Sequence, residues 1–131
     1  MSTMQTQPTV LLEHVTRCGR HFDWLMGDPT LPGEDAPLWT ARVGLTSGHW
    51  SAAGRLLLTE LPAHRRVYLH RQGPIGEGRG VVRRVDAGAV RPGVWTADRR
   101  VLTVRMGRFE GVITLRRLVA DRWLGAVRPV V

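Results

Sequence analysis

The sequence predicts an all-β fold, a small antiparallel β-barrel that is closed or partly open, and three observations predict it. Fifteen glycines and eight prolines cut the chain into short pieces. None of these pieces carries a sustained helical period, whereas several alternate apolar and polar residues in the two-residue rhythm of a half-buried strand. At 131 residues the chain suits one domain with one core. Closure into a barrel is favoured over an open sheet because it leaves no strand edge unpaired. No fixed-period repeat marks a solenoid.

Residues 1–8 are polar and uncharged and read as a flexible N-terminus ahead of a single domain at 9–131. Thr9–Val15 and Phe22–Met26 are strand-type runs. GDPTLPGEDAP at 27–37 carries three prolines and reads as a loop. Leu38–Val43, Arg55–Leu61 and Arg66–His70 follow as strands. GPIGEGRG at 73–80 is a tight turn or an exposed loop, and Val81–Val85, Gly93–Thr96, Val101–Met106, Gly111–Arg116 and Arg122–Val127 complete the set. The clearest alternation is VLTVRM, with Leu102, Val104 and Met106 on one face and Thr103 and Arg105 on the other. GVITLRR repeats it with Ile113 and Leu115 inward, and Gly107 and Arg108 between them read as a tight hairpin.

The nineteen basic residues are all arginine, which excludes Schiff-base chemistry, a P-loop lysine and a lysine nucleophile that carries a nucleotidyl group. Residues 1–64 hold four arginines against six carboxylates, a net of −2. Residues 65–131 hold fifteen against five, a net of +10. A block this basic suits a polyanion, nucleic acid first among them; arginine-rich codon usage is the competing explanation. Cys18 stands alone, so no intramolecular disulfide or cysteine-rich zinc site forms. No apolar run approaches the roughly 20 residues of a membrane-spanning helix, and no signal peptide is recognisable. The expectation is a cytoplasmic monomer with no membrane partner.

EHVTRCGRHFDWLM at 13–26 is the most informative stretch. On a strand, His21 and Asp23 emerge from one face while Phe22 and Trp24 enter the other. If residues 15–20 turn the chain, antiparallel pairing returns His14 to their neighbourhood. Two imidazoles and a carboxylate on one side of a divalent ion leave positions for water and a substrate oxygen, suiting Mn²⁺, Fe²⁺ or Zn²⁺. Exposed polar residues at a strand end are the alternative.

LPAHRRVYLHRQGPIGEGRG at 61–80 is the second stretch. On a strand, His64, Arg66, Tyr68 and His70 share one face and offer phosphate-binding forks and a general acid; a charged, solvated strand face is the alternative. Ser47 and Ser51 flank His49 but lack the strand–turn–helix setting of an exposed nucleophile. The five tryptophans read mostly as core, with Trp50 the one expected to be exposed.

In their collinear order these motifs resemble the 3′-phosphoesterase domain family of bacterial DNA ligase D, which also occurs as stand-alone proteins. The resemblance runs over about residues 9–128 and is carried by several matches. They are His14; HFDW at 21–24; the tryptophan strand LWTARVG at 38–44; His64, Tyr68 and Gly73 at the family's spacing; IGEG at 75–78; VDAG at 85–88; RFEGVITLRR; and RWLG at 122–125.

The resemblance implies a β-barrel with a surface metal site that processes DNA or RNA 3′ ends, releasing a 3′-phosphate or 3′-ribonucleotide during strand-break repair. A separate DNA ligase or polymerase would be its partner at such an end. It implies His14, His21 and Asp23 as ligands of a divalent metal, manganese preferred, with zinc or another transition metal as alternatives. His64, Arg55 and Tyr68 are implied at the scissile phosphate, with Arg42 and Arg66 as further phosphate ligands. The chain departs from the family pattern at Leu12, Leu25 and Val43, where polar or basic residues are usual, and its His14-to-His21 gap is one residue longer.

Three readings follow: the 3′-end phosphoesterase, a catalytically weakened nucleic-acid-binding barrel that retains the metal site, and a small hydrolase or metal-binding barrel with no nucleic-acid partner. The first two predict a basic groove beside His14, His21 and Asp23; the third predicts arginines spread evenly.

Overall fold

The computed structural model describes residues 4–45, 48–50 and 54–130. Among these, nine strands follow in chain order: β1 (Gln7–Thr16), β2 (Gly19–Gly27), β3 (Leu38–Val43), β4 (Gly54–His64), β5 (Gly73–Pro74), β6 (Val81–Trp95), β7 (Arg99–Met106), β8 (Glu110–Val119) and β9 (Arg122–Pro129). All pairings are antiparallel, in the order β1-β2-β3-β4-β9-β8-β7-β6-β5. β1 also pairs with β6, so the sheet curls into a ring, and the expectation of a partly open barrel holds.

The interior is filled by alternate residues of each strand. Phe22, Trp24 and Met26 enter from β2, Leu102, Val104 and Met106 from β7, and Ile113 and Leu115 from β8, all in one cluster. The alternation read from VLTVRM and GVITLRR is therefore the one observed. Between those strands the hairpin is clamped by Asp86, whose Oδ2 accepts the Arg108 backbone N–H at 3.0 Å.

Four expectations need correction. The first concerns 66–70, expected as a strand, where Arg66–Leu69 forms a 3₁₀ turn. A strand would send Tyr68 and Leu69 to opposite faces. In the turn both pack on a second apolar cluster, Val10, Leu12, Leu25 and Leu38, on the outside of β1–β3. Val67 is left exposed.

The second concerns 81–85 and 93–96, expected as separate strands, which belong to the single long β6. Its first part pairs with β1 and its second with β7. Gly88 makes this overlap possible, since a Cβ there would stand 2.0 Å from the Arg105 carbonyl oxygen. Pro92 is accommodated by an irregularity between Pro92 and Val94.

Third, Trp50 is buried, stacked edge-on to Trp24 with ring centroids 4.9 Å apart and tilted on Phe109 at 5.9 Å. Its polar neighbours in sequence did not betray this, because the cavity it fills is built by other strands. Ser47 and Ser51 lie outside the described residues. Fourth, β1 begins at Gln7 rather than Thr9, because Gln7 and Pro8 pair with Val90 and Ala89 of β6.

At the far end of the ring interior lies a buried arginine that composition alone does not reveal. Arg100 is 6% exposed, its guanidinium over the rings of Trp95 (4.1 Å), Trp123 (4.7 Å) and Trp39 (5.4 Å). Its Nε donates to the Thr96 carbonyl at 2.9 Å. No helix among the described residues is long and apolar enough to cross a membrane.

Candidate metal centre

Antiparallel pairing of β1 and β2 sets His14 directly opposite His21 and Leu12 opposite Asp23. Alternation within β2 then leaves His21 and Asp23 on the outer face while Phe22 and Trp24 enter the core. The strands run closer to the turn than the sequence suggested, reaching Thr16 and Gly19. Gly19 makes that tight reversal at φ +126°.

The three side chains converge. Nδ1 of His14 lies 3.1 Å from Nε2 of His21, which lies 3.4 Å from Oδ2 of Asp23. One ligand atom from each residue falls within 4.8 Å of the other two. Metal–ligand bonds of about 2.0–2.2 Å place neighbouring ligand atoms about 3 Å apart, so the group could hold one shared ion.

Hydrogen-bond partners decide which nitrogens carry lone pairs. The Arg79 carbonyl oxygen can only accept, so Nε2 of His14, 2.6 Å away, donates to it. The Arg42 guanidinium can only donate, so Nε2 of His21 accepts from Arg42 Nη2 at 2.9 Å. In neutral His14, Nδ1 is then a lone pair facing a second lone pair at 3.1 Å. Two lone pairs turned toward one point at this spacing are what neighbouring ligands of a single ion present. Asp23, 6% exposed, adds a carboxylate oxygen to the same point. Burial lowers the pKa of His21 below its ordinary value; Asp23 opposes this, and Arg42 and His14 reinforce it. The neutral ring, the form that binds metals, is favoured.

Two neighbours shape this centre. Arg42 stands opposite Asp23 on β3, with Nε 3.4 Å from Asp23 Oδ1, so the structure brings this predicted phosphate ligand to the trio. The glycine-rich segment 73–80 supplies the Arg79 carbonyl. Its fold depends on left-handed glycines, most strictly Gly80 at φ +94°, where a Cβ would stand 2.1 Å from the Val15 carbonyl oxygen. The sequence reads as a turn or loop here, and its local spacing does not show that the segment supports His14. The density of glycines was the available signal.

The remaining predicted residues are not gathered there. His64 ends β4 opposite Leu38, four positions along β3 from Arg42, or about 13 Å of strand. Its Nδ1 donates to the Pro62 carbonyl at 2.9 Å and its ring lies 5.5 Å from that of Tyr68. Tyr68 packs on the outer apolar cluster. The shared face expected of His64, Arg66, Tyr68 and His70 does not form, because the 3₁₀ turn breaks the two-residue alternation. Arg66 donates to the Ala36 carbonyl at 3.2 Å and lines a cleft beside residues 28–34, where it ties the turn to a loop. Arg55 is exposed on β4, opposite Ala126 of β9. Leu12 and Leu25 are buried in the outer cluster and offer no group to a phosphate.

The basic groove that both nucleic-acid readings expect beside the trio is not observed among the described residues, because the arginines of the second half are spread over the strands. Arg79 in the glycine-rich segment and Arg84, opposite Leu12, lie on its side, whereas Arg83, opposite Glu13, faces the other way and Arg91, Arg99, Arg105, Arg116, Arg122 and Arg128 occupy exposed positions of β6–β9. Glu13 is gripped by Arg20 Nη1 at 3.2 Å and Arg83 Nε at 3.3 Å.

No family model matches the chain, and no curated protein matches it in sequence.

Proposed function

We propose that the protein is a metal-dependent phosphoesterase that processes 3′ ends of DNA or RNA, with His14, His21 and Asp23 as metal ligands. The convergence of these three donor sets beside Arg42 carries the reading. A bound divalent ion, Mn²⁺ for preference, would polarise a phosphoryl oxygen and lower the pKa of a water. Arg42 would grip the phosphate through its planar fork. The Arg79 carbonyl holds His14 in the tautomer that presents Nδ1. His64, whose Nδ1–H is committed to Pro62, keeps the Nε2 lone pair available as a base toward a longer substrate.

A second reading has its own support. His64, Arg55 and Tyr68 make no direct contact with the trio, which suits a nucleic-acid-binding barrel that retains the metal site but not the chemistry. Incubation with a 3′-phosphate-ended primer–template, with and without Mn²⁺, decides between them. Release of phosphate that requires Mn²⁺ and is lost in Asp23→Ala supports the esterase. No product with any divalent ion, from a chain that still binds the primer–template, leaves the binding barrel.

A further inference from the structure

We propose that Arg42 and the divalent ion compete for the same lone pair, so that a phosphate-like oxyanion and the metal load the site cooperatively. The inference rests on the metal reading above and adds a regulation to it. Nε2 of His21 has one lone pair, and Arg42 Nη2 donates to it at 2.9 Å. A lone pair shared with a donated proton cannot also coordinate an ion, so metal binding has to displace this end of the guanidinium. The other end has no need to move. Nε of Arg42 rests against Oδ1 of Asp23 at 3.4 Å, while His21 faces Oδ2. The guanidinium can therefore swing off His21 and stay beside the carboxylate. Its side chain is 46% exposed, which leaves it free to do so.

An arginine swung out in this way presents its fork beside the ion, in reach of an oxyanion bound there. Conversely, an oxyanion that pairs with Arg42 draws it off His21 and frees the lone pair for the metal. Binding linkage makes the two effects equal: whatever factor the oxyanion adds to metal affinity, the metal adds to oxyanion affinity. The ligand class is a tetrahedral oxyanion with an exposed terminal face, such as a phosphate monoester end.

Titration of the full chain with Mn²⁺, followed by loss of the free-ion paramagnetic resonance signal, tests this with phenylphosphonate as the oxyanion because it has no ester bond to cut. Arg42→Gln is expected to bind Mn²⁺ alone about 5-fold or more tighter than the wild type. Phenylphosphonate is expected to tighten Mn²⁺ binding about 5-fold in the wild type and markedly less in Arg42→Gln. Arg42→Lys, which keeps a charge without the fork, falls between them. Unchanged or weaker Mn²⁺ binding by Arg42→Gln overturns the competition, as does an equal phenylphosphonate effect in both proteins. Either result leaves the metal reading intact. Absence of Mn²⁺ binding in every variant, or binding that survives His21→Ala undiminished, overturns both.

Discussion

Nε2 of His14 donates to the backbone carbonyl of Arg79 at 2.6 Å, across sixty-five residues of sequence. That bond turns Nδ1 of the ring toward His21 and Asp23, and it exists because Gly80 lets the glycine-rich segment pass against the end of β1. Supports of this kind orient metal-binding histidines and strengthen them as ligands.

Gly80→Ala tests the support. The added Cβ meets the Val15 carbonyl oxygen, and the left-handed backbone disfavours any side chain. Thermal unfolding should report a loss of about 1–3 kcal/mol. Mn²⁺ affinity should fall by about 10–100-fold in a chain that remains folded. Unchanged Mn²⁺ affinity in the folded variant would mean that His14 does not depend on the segment.

His21→Ala and Asp23→Asn should each abolish measurable Mn²⁺ binding, because two remaining ligands do not hold a labile divalent ion at micromolar levels. Nucleic-acid binding, measured by fluorescence anisotropy with a labelled 3′-ended duplex, should survive both changes. Retention of Mn²⁺ binding would place the ion at another group.

The His21 ring should titrate below its ordinary value, as followed by the NMR shift of its Cε1 proton in metal-free protein. Asp23→Asn should lower it further, and Arg42→Gln should raise it, since the carboxylate favours the charged ring and the guanidinium opposes it. A folded-state pKa below the unfolded one means that the unfolded chain takes up the proton first. Stability from this group is therefore complete above about pH 6.5 and declines as pH falls through the lowered folded-state value. A ring that titrates above its ordinary value would contradict the burial argument.

Arg100→Ala should destabilise the barrel without touching the metal centre. The substitution empties the space among Trp39, Trp95 and Trp123 and removes the cation that their faces attract. Urea denaturation should show a loss of about 2–4 kcal/mol, with Mn²⁺ affinity within about 2-fold of the wild type, since the two sites lie at opposite ends of β2 and β3. A neutral effect on stability would show that the guanidinium is not holding the three rings together.

The sequence by itself determined which way residues face along each strand, because alternation depends only on the pleat of the backbone. Leu102, Val104, Ile113 and Leu115 were legible as core in this way, and so were His21 and Asp23 as an outward pair with Phe22 and Trp24 behind them. A short antiparallel return was enough to bring His14 back to them. What needed the tertiary structure were the contacts made by partners remote in sequence. The outer apolar cluster converts 66–69 from a strand into a 3₁₀ turn and separates His64 from the trio, and Trp24 and Phe109 bury Trp50 despite its polar neighbours. The ring's closure onto β1 runs β6 through a segment that looked like two strands. Arg42 and the Arg79 carbonyl select the lone pairs of His21 and His14, and neither contact is written in local spacing. Strand register and close backbone approach decide such contacts, and both are properties of the assembled ring rather than of any one segment.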